Sequence, residues 1–213
     1  LIEGVTIRDG SSTYGGGIYG GTHGLDLELD DVVVEDCYAS SQGGGVYHYG
    51  GVLTATDLVL DGNQAGSYGG GLCAYSTDVY IDGLVATDNT SASYGGGLYL
   101  RDGDVEVFDA TIQANVAYYA GGLMAHTCDL SLSDSEVSDN EAYTYGGGVY
   151  LTHGEAILDE VHVHGNAVTY GSYGYYAVGG GLFLNNGVDV TCFGSSSTTA
   201  GVYDNESDYG GGA

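Results

Sequence analysis

The chain contains no proline, no tryptophan and no lysine, and its 213 residues include only two arginines, Arg8 and Arg101. Against 29 acidic residues, these arginines leave a formal net charge of -27. Such a surface repels phosphate backbones and anionic lipid headgroups, which excludes a nucleic-acid binder and a sensor of anionic membranes and disfavours polyanionic substrates. No apolar run approaches the ~18 to 20 residues of a membrane-spanning helix, so we expect no membrane insertion by this segment.

Cysteine is also scarce. Cys37, Cys73, Cys128 and Cys192 are far apart and show no paired ligand spacing, which excludes a zinc site and a disulfide-dense miniature scaffold. We interpret the four residues as small buried hydrophobic side chains, with one or two disulfides as the alternative.

What the chain has in abundance is glycine (41 residues) and tyrosine (21 residues). With 43% hydrophobic and only 15% charged residues, it lacks the composition of a disordered segment. We therefore expect a folded, repetitive protein with an acidic surface.

A three-residue glycine block recurs along the chain, and such self-similarity is typical of repeat architectures. The blocks begin at Gly15, Gly43, Gly69, Gly95, Ala120, Gly146, Gly179 and Gly210. Their spacing is about 26 residues in the centre of the chain and longer towards its end, where we expect loop insertions in 165–178 and 194–201. The Ser195–Thr199 run falls in the second of these.

Between the blocks, apolar and polar residues alternate, as in Val105-Glu106-Val107 and Leu130-Ser131-Leu132. A period of two predicts strands with one face inward, and no helical spacing is evident. A propeller blade needs ~40 residues or more, which is too long for this period. The sequence therefore predicts an all-β protein, a single parallel β-helix domain over residues 1–213, with about eight coils of about 26 residues and three short strands per coil.

Equivalent residues of successive coils should stack into inward-facing columns, because a one-residue slip would turn all of them outward. We predict three such columns: Ile18, Val46, Leu72, Leu98, Leu123, Val149 and Leu182; Leu53, Val79, Val105, Leu130 and Ala156; and Leu60, Ala86, Ile112, Val137 and Val163. A fourth column, predicted as a structural hydrogen-bonded ladder at a corner, consists of Asn63, Asn89, Asn115, Asn140 and Asn166.

The glycine block itself has two readings. Glycine-rich loops bind phosphates in nucleotide-binding proteins, but such loops occur once and have a basic or acidic partner at a fixed distance. Because this block recurs and lysine is absent, we interpret it as a corner where φ is positive or where successive coils approach closely.

The residue after each inward aliphatic should point outward, giving a column of Tyr19, Tyr47, Cys73, Tyr99, Met124, Tyr150 and Phe183. We expect an exposed aromatic binding stripe at Tyr19, Tyr47, Tyr99, Tyr150 and Phe183. A second tyrosine set precedes the glycines: Tyr14, Tyr68, Tyr94, Tyr119, Tyr145 and Tyr209. The rings can either shield the glycine backbone or contact proteins and sugars.

Acidic residues also recur at one corner of the repeat: Asp57, Asp109, Asp134 and Glu160, with Asp82 and Asp159 beside them. A column of carboxylates favours a bound cation, and calcium suits an extracellular oxygen site. Solvated charges are the alternative. We expect no required cofactor, with Ca²⁺ as the one candidate.

Evidence for catalysis is weak. Arg8 and Arg101 are many coils apart, and with 29 acids some carboxylate pair always has a suitable separation by chance. His162 and His164 alternate on one strand and are either the start of a metal site or lone surface imidazoles. We expect no catalytic residues and no enzymatic activity.

The repeat resembles secreted right-handed parallel β-helix proteins of bacteria, relatives of the pectin-lyase-like superfamily, and is similar to the repeat of polymorphic outer membrane proteins. The resemblance covers essentially the whole chain: Gly16-Gly17-Ile18 and its copies, and the pieces Asn63-Gln64-Ala65, Asn89-Thr90-Ser91, Asn115-Val116-Ala117 and Asn140-Glu141-Ala142. It implies a secreted or surface location, a role in adhesion or surface structure, and no catalytic residues. A polysaccharide-binding or polysaccharide-degrading β-helix is the alternative function.

The chain starts inside a strand and stops on a glycine block, without a recognisable cap at either end. We therefore expect an excerpt of a longer array, or a subunit whose ends stack on another copy and form filaments. The expected partners are a second copy, other surface proteins or polysaccharide, and no nucleic acid.

Overall fold

The computed structural model describes residues 1–21, 24–169, 177–194 and 200–207. These residues form an all-β parallel solenoid of about six turns of about 26 residues, with three parallel sheets. This confirms the predicted fold class and the predicted period. No helix in the described ranges is long and apolar enough to cross a membrane.

The described parts of the chain contain twenty-four strands. In chain order they are β1 (Ile2–Arg8), β2 (Ser11–Tyr14), β3 (Ile18–Gly20), β4 (Leu27–Glu35), β5 (Tyr38–Gln42), β6 (Val46–Tyr49), β7 (Val52–Asp61), β8 (Gln64–Ala65), β9 (Leu72–Tyr75), β10 (Asp78–Thr87), β11 (Thr90–Ser91), β12 (Leu98–Gln113), β13 (Val116–Tyr119), β14 (Leu123–Ser133), β15 (Glu136–Ser138), β16 (Glu141–Tyr145), β17 (Val149–Thr152), β18 (Glu155–Asp159), β19 (His162–His164), β20 (Ala167–Val168), β21 (Leu182–Asn185), β22 (Asp189–Phe193), β23 (Gly201–Tyr203) and β24 (Glu206–Ser207).

The three sheets follow the repeat. Strands that come directly after the glycine block, such as β3, β6 and β9, form the first sheet. Longer strands, such as β4, β7 and β10, form the second. Short strands that follow the corner asparagines form the third, in the order β2-β5-β8-β11-β13-β16-β20-β24. These short strands were not assigned from the sequence, because two residues such as those of β8 show no alternation.

All three predicted inward columns are buried and in register. Leu53 pairs with Val79, Val79 with Val105, Val105 with Leu130, and Leu130 with Ala156. No member of the three columns is more than 7% exposed. Burial of one such side chain stabilises the fold by ~1.5 to 3 kcal/mol, so the columns are the main source of cohesion between turns.

The number of turns differs from the expected eight coils. Each turn runs from one glycine block to the next, so counting blocks overestimates the turns, of which there are about six. The block at Gly210 and Tyr209 before it lie outside the described residues, as does the Ser195–Thr199 run. The expected insertions in 165–178 and 194–201 are described only in part, since 170–176 is also outside.

Candidate functional site

The asparagine column forms a continuous buried ladder. The Nδ2 group of Asn89 donates to Oδ1 of Asn115 at 3.0 Å and to the backbone carbonyl of Leu60 at 2.8 Å. In turn, Oδ1 of Asn89 accepts bonds from the backbone N–H and from Nδ2 of Asn63, both at 3.0 Å. Each side chain therefore joins three successive turns, which is how a buried amide avoids the cost of lost hydration.

Two members of this ladder were not found from the sequence. Cys37 is at the ladder position one turn before Asn63, and its backbone N–H donates to Oδ1 of Asn63 at 3.0 Å. Asn205 accepts from Nδ2 of Asn166 at 2.9 Å. The spacing of about 26 residues could have revealed Cys37, whereas the insertion after Asn166 shifts Asn205 out of phase.

Each position of the glycine block has its own reason for glycine. Gly69 has a φ of 62°, the left-handed conformation that side chains disfavour. A Cβ on Gly70 would overlap the carbonyl oxygen of Gly96 in the next turn. A Cβ on Gly71 would lie 2.8 Å from the Gly97 oxygen. Both expected explanations, positive φ and close approach, therefore hold at different positions of the block.

The residues of the acidic column lie at a corner where the backbone turns between two strands. Four of its members have positive φ, and Gly83 occupies the same position in a neighbouring turn. Aspartate tolerates this left-handed conformation because its short polar side chain bonds locally. The four acidic residues and their φ values are Asp57 (51°), Asp109 (52°), Asp134 (48°) and Glu160 (54°).

Asp82 and Asp159 lie in the adjacent column, where they pair with Thr56 and Ser133 and do not meet each other. Within the described ranges, no three His, Cys, Asp or Glu side chains come together in a group that could hold a metal ion. The six carboxylates are therefore spread over two columns and several turns. Calcium binding at this corner stays a prediction.

The two histidines highlighted by the sequence share the outer side of β19. Nε2 of His164 lies 3.3 Å from Oε1 of Glu136, and its ring stacks on Tyr203 with 5.0 Å between centroids. Nδ1 of His162 lies 3.4 Å from the Tyr203 hydroxyl. These contacts use one carboxylate and one phenol, so the histidines form a surface network.

Both arginines are engaged locally. Arg8 pairs with Glu35 at 2.9 Å, and Arg101 pairs with Asp102 at 3.0 Å while its guanidinium lies 4.7 Å from the ring centroid of Tyr75. The structure does not bring the two arginines together. They are therefore separate surface contacts, not parts of one cationic site.

All four cysteines are free thiols, so the disulfide alternative is wrong. Cys37, Cys73 and Cys128 are buried, as expected, whereas Cys192 is exposed. Burial raises the pKa of the Cys73 thiol and raises that of Cys128 to about 11. The two thiols therefore stay protonated at neutral pH and act as small hydrophobic groups.

The expected exposed aromatic stripe is wrong in the central turns. Tyr99 and Tyr150 are only 5% and 9% exposed. The reason is that the glycine block has no side chains, so a tyrosine that precedes the block of one turn can cover the ring that follows the block of the next turn. Tyr68, for example, stacks on Tyr99 with 4.9 Å between ring centroids. A second apolar cluster results, which we call the tyrosine layer: Tyr47, Tyr68, Cys73, Tyr75, Tyr94, Tyr99, Tyr119, Ala120, Met124, Tyr145, Tyr150 and Phe183.

At the early turns this layer opens to solvent. Tyr19 and Tyr14 are 59% and 39% exposed, and Tyr47 is half-buried. The rings of Tyr19 and Tyr47 stack 5.7 Å apart at an angle of 10°, and Tyr14 lies 5.3 Å from Tyr47. A cleft of about 250 Å³, the tyrosine cleft, is lined by Tyr14, Tyr19, Gln42, Tyr47, Tyr49 and Tyr75.

A second depression, the outer groove, lies on the solvent side of the second sheet. Its volume is about 410 Å³, and two exposed aromatic rings, Tyr80 and Phe108, line it. Asp82 and Glu106 contribute carboxylates to the same groove. Hydroxyl groups also line it: Thr54, Thr56, Ser131 and Ser133. The sequence reasoning missed this groove, since its residues are the outward members of alternating strands and form no motif.

Comparisons with known proteins leave the family open. No protein-family model, no curated protein and no solved structure matches the chain. The parallel β-solenoid is therefore known from the structure alone.

Proposed function

We propose that the chain is a non-enzymatic extracellular β-solenoid of the bacterial cell surface, with a structural and adhesive role like that implied by its resemblance to polymorphic outer membrane protein repeats. The observation that supports this most is that the recurring polar side chains serve the fold. Asn89 and its equivalents form the ladder, Asp109 and its equivalents form corners, and Tyr68 and its equivalents cover the glycines. A repeat whose polar residues keep the same cross-section in every turn suits a rod-shaped protein that contacts its partners through its lateral surfaces.

The sides of this rod support adhesion. The net charge of -27 keeps the surface anionic and opposes non-specific self-association. Exposed aromatic rings interrupt that charge at a few places, including Tyr19 and Phe108. Amphipathic rings of this kind are enriched where proteins contact partners.

The test is to couple the protein to beads and to measure bead retention under flow on layers of cells and of purified polysaccharides, with beads carrying an unrelated acidic protein as control. We expect retention that requires the folded solenoid. In parallel, the protein is incubated with the same polysaccharides, and released reducing ends and unsaturated sugars are measured. Turnover of any polysaccharide, or retention no greater than the control's, would overturn the proposal. Electron microscopy of the same sample tests the expected end-to-end filaments.

A carbohydrate-binding or carbohydrate-degrading role is the second candidate, and the outer groove favours it. There, Glu106 lies opposite Tyr80 and Asp82 opposite Phe108 in register, so a carboxylate and a ring alternate along both strands. Two carboxylates in one groove are the minimum for acid–base hydrolysis of a glycoside. If the polysaccharide incubations show turnover, Asp82→Asn and Glu106→Gln should each abolish it while leaving the thermal unfolding midpoint unchanged.

A further inference from the structure

The tyrosine cleft exists because two aromatic columns are interrupted at the same place. Gln42 occupies the position of Tyr14 in the preceding turn and of Tyr68 in the following turn. Beside it, Cys73 occupies the position of Tyr47 and of Tyr99 in its neighbouring turns.

The two smaller side chains adjoin each other, with Sγ of Cys73 lying 3.9 Å from Oε1 of Gln42. Where tyrosines fill the equivalent positions, one ring covers the next, as Tyr68 covers Tyr99. Two missing rings therefore leave a space of about 250 Å³ between the tyrosines on either side. This space is part of the repeat's outer surface and not a defect of the main core, since Cys73 is fully buried beneath it.

Aromatic faces surround this space. Tyr19 and Tyr47 form a nearly parallel pair on one side, with an angle of 10° between the rings. Tyr49 and Tyr75 follow on the other side, with 6.4 Å between centroids. The face of each ring carries partial negative charge, so it attracts the weakly positive C–H groups of a flat aliphatic ring.

The lining carries no charged side chain. Five phenols and one carboxamide line the cleft in a protein whose formal charge is -27. Burial raises the pKa of Tyr47 to about 12, so its hydroxyl keeps its proton at neutral pH and can donate a hydrogen bond. Arg101 contacts the Tyr75 ring but is paired with Asp102. A carboxylated sugar therefore finds no unpaired cation at the lining and is repelled by the surrounding surface, whereas a cationic ligand finds no counter-charge among the lining side chains.

We propose that the tyrosine cleft binds one ring of a neutral, β-linked polysaccharide. A pyranose with equatorial hydroxyls has a flat C–H face that can pack on one exposed face of the stacked Tyr19–Tyr47 pair, while its rim hydroxyls hydrogen-bond to the Gln42 carboxamide and the phenols. A volume below the ~300 to 1,000 Å³ of drug-sized pockets suits a single sugar ring of a longer chain. The inference rests on the proposed function, because it names the ligand through which the adhesive surface attaches.

The experiment is isothermal titration calorimetry of the purified protein with cellohexaose and xylohexaose, and with a hexagalacturonate and a proline-rich peptide as competing chemistries. Three variants are compared. Gln42→Tyr completes the interrupted column and closes the cleft, and Tyr19→Ala removes an exposed wall. The control, Tyr38→Ala, removes an exposed ring that lines neither the tyrosine cleft nor the outer groove. Thermal unfolding of each variant checks the fold.

We expect a neutral hexasaccharide to bind. Tyr19→Ala should weaken binding at least about tenfold, because it removes roughly one ring contact and its hydrogen bond. Gln42→Tyr should abolish binding without lowering the unfolding midpoint. Tyr38→Ala should leave the affinity unchanged. The inference is overturned if no neutral sugar binds, if binding survives Gln42→Tyr, if Tyr38→Ala abolishes it, or if the uronate or the peptide binds more tightly. Should these sugars fail while bead retention on cells persists, the cleft assignment falls and the adhesive role stands.

Discussion

The side-chain amide of Asn63 donates to the side-chain carbonyl of Asn89 at 3.0 Å, and both residues are completely buried. Their turns are adjacent, so this bond joins two coils through the corner and not through the sheets. The same relationship recurs at Asn115 and Asn140, which makes each ladder amide dependent on its neighbours.

Replacement of Asn89 by alanine should therefore be costly. It removes a donor from the Leu60 carbonyl and the acceptor of both the backbone N–H and the side-chain amide of Asn63. The Asn115 side-chain carbonyl keeps the backbone N–H of residue 89 as its donor. Since each unsatisfied buried group costs ~1 to 3 kcal/mol, we expect Asn89→Ala to lower the free energy of unfolding by at least about 3 kcal/mol. Urea titration monitored by circular dichroism measures this change. Gln64→Ala, at an exposed position, is the control and should stay within ~0.5 kcal/mol of the parent protein.

Ala114 offers a stabilising substitution. Its φ is 55°, whereas the equivalent corner residues Asp88 and Gly62 are types that accept this conformation. Relief of ~1 to 2 kcal/mol of left-handed strain exceeds the ~0.4 to 1 kcal/mol of added unfolded-state entropy, so Ala114→Gly should stabilise by about 0.5 to 1 kcal/mol. Ala92→Gly, at an exposed site without positive φ, should destabilise by a similar amount. Urea titration measures both variants, and changes in unfolding free energy of the same sign would contradict the strain assigned to Ala114.

The second glycine of the block should tolerate no side chain. Gly70→Ala places a methyl group on the Gly96 carbonyl, and the two turns can relieve the overlap only by separating. We expect a loss above about 3 kcal/mol, at the upper end of overpacking costs. Gly187→Ala isolates the conformational cost alone, because its φ is 70° and its Cβ would meet open space. That variant should lose only ~1 to 2 kcal/mol, and a similar loss in both would show that close approach is unimportant.

The buried His48 should make stability depend on pH. Burial lowers its pKa, so below the ordinary value of about 6.5 the unfolded chain binds a proton that the folded chain does not. Stability from this residue is therefore fully present above about pH 6.5 and falls as the pH drops below it, by up to ~1.4 kcal/mol per pH unit. His48→Gln should reduce the slope of unfolding free energy against pH between about pH 6.5 and 5.5. His126, whose pKa burial also lowers, should retain part of the slope.

The calcium prediction is tested at Asp109, which has a φ of 52° and forms a corner of the backbone. Asparagine accepts the same conformation, so Asp109→Asn should change the unfolding free energy by less than ~0.5 kcal/mol if the carboxylate is merely solvated. Thermal melts in calcium and in EDTA should then coincide for both proteins. A midpoint that rises with calcium in the parent protein and not in Asp109→Asn would establish the site.

Much of the fold follows from periodicity. Leu53 and Val79 were placed in one inward column because alternation and a constant spacing leave only one register. The ladder position of Asn63 followed from the same spacing, although the direction of its hydrogen bonds did not. The shortest strands were missed because β8 has two residues, which is too few for a pattern.

The tyrosines show where sequence reasoning stopped. Alternation correctly turned Tyr99 away from the main core, but it carries no information about what covers the other side. Tyr68 reaches across three glycines from the neighbouring turn, and this contact depends on the shape of the corner. Exposure at Tyr19 and burial at Tyr99 therefore became distinguishable only in three dimensions.

The asparagine ladder also gives the rod a direction. In each ladder asparagine from Asn63 to Asn166, one Nδ2–H donates to the side-chain carbonyl of the later turn, and no bond between the side chains of these described residues runs the opposite way. The amide dipoles therefore align head to tail, like those of a helix. The positive ends of these dipoles therefore all face the later turns, and the two ends of any segment are electrically unlike. Two copies that met through such cross-sections would match when pointing the same way and oppose each other when reversed.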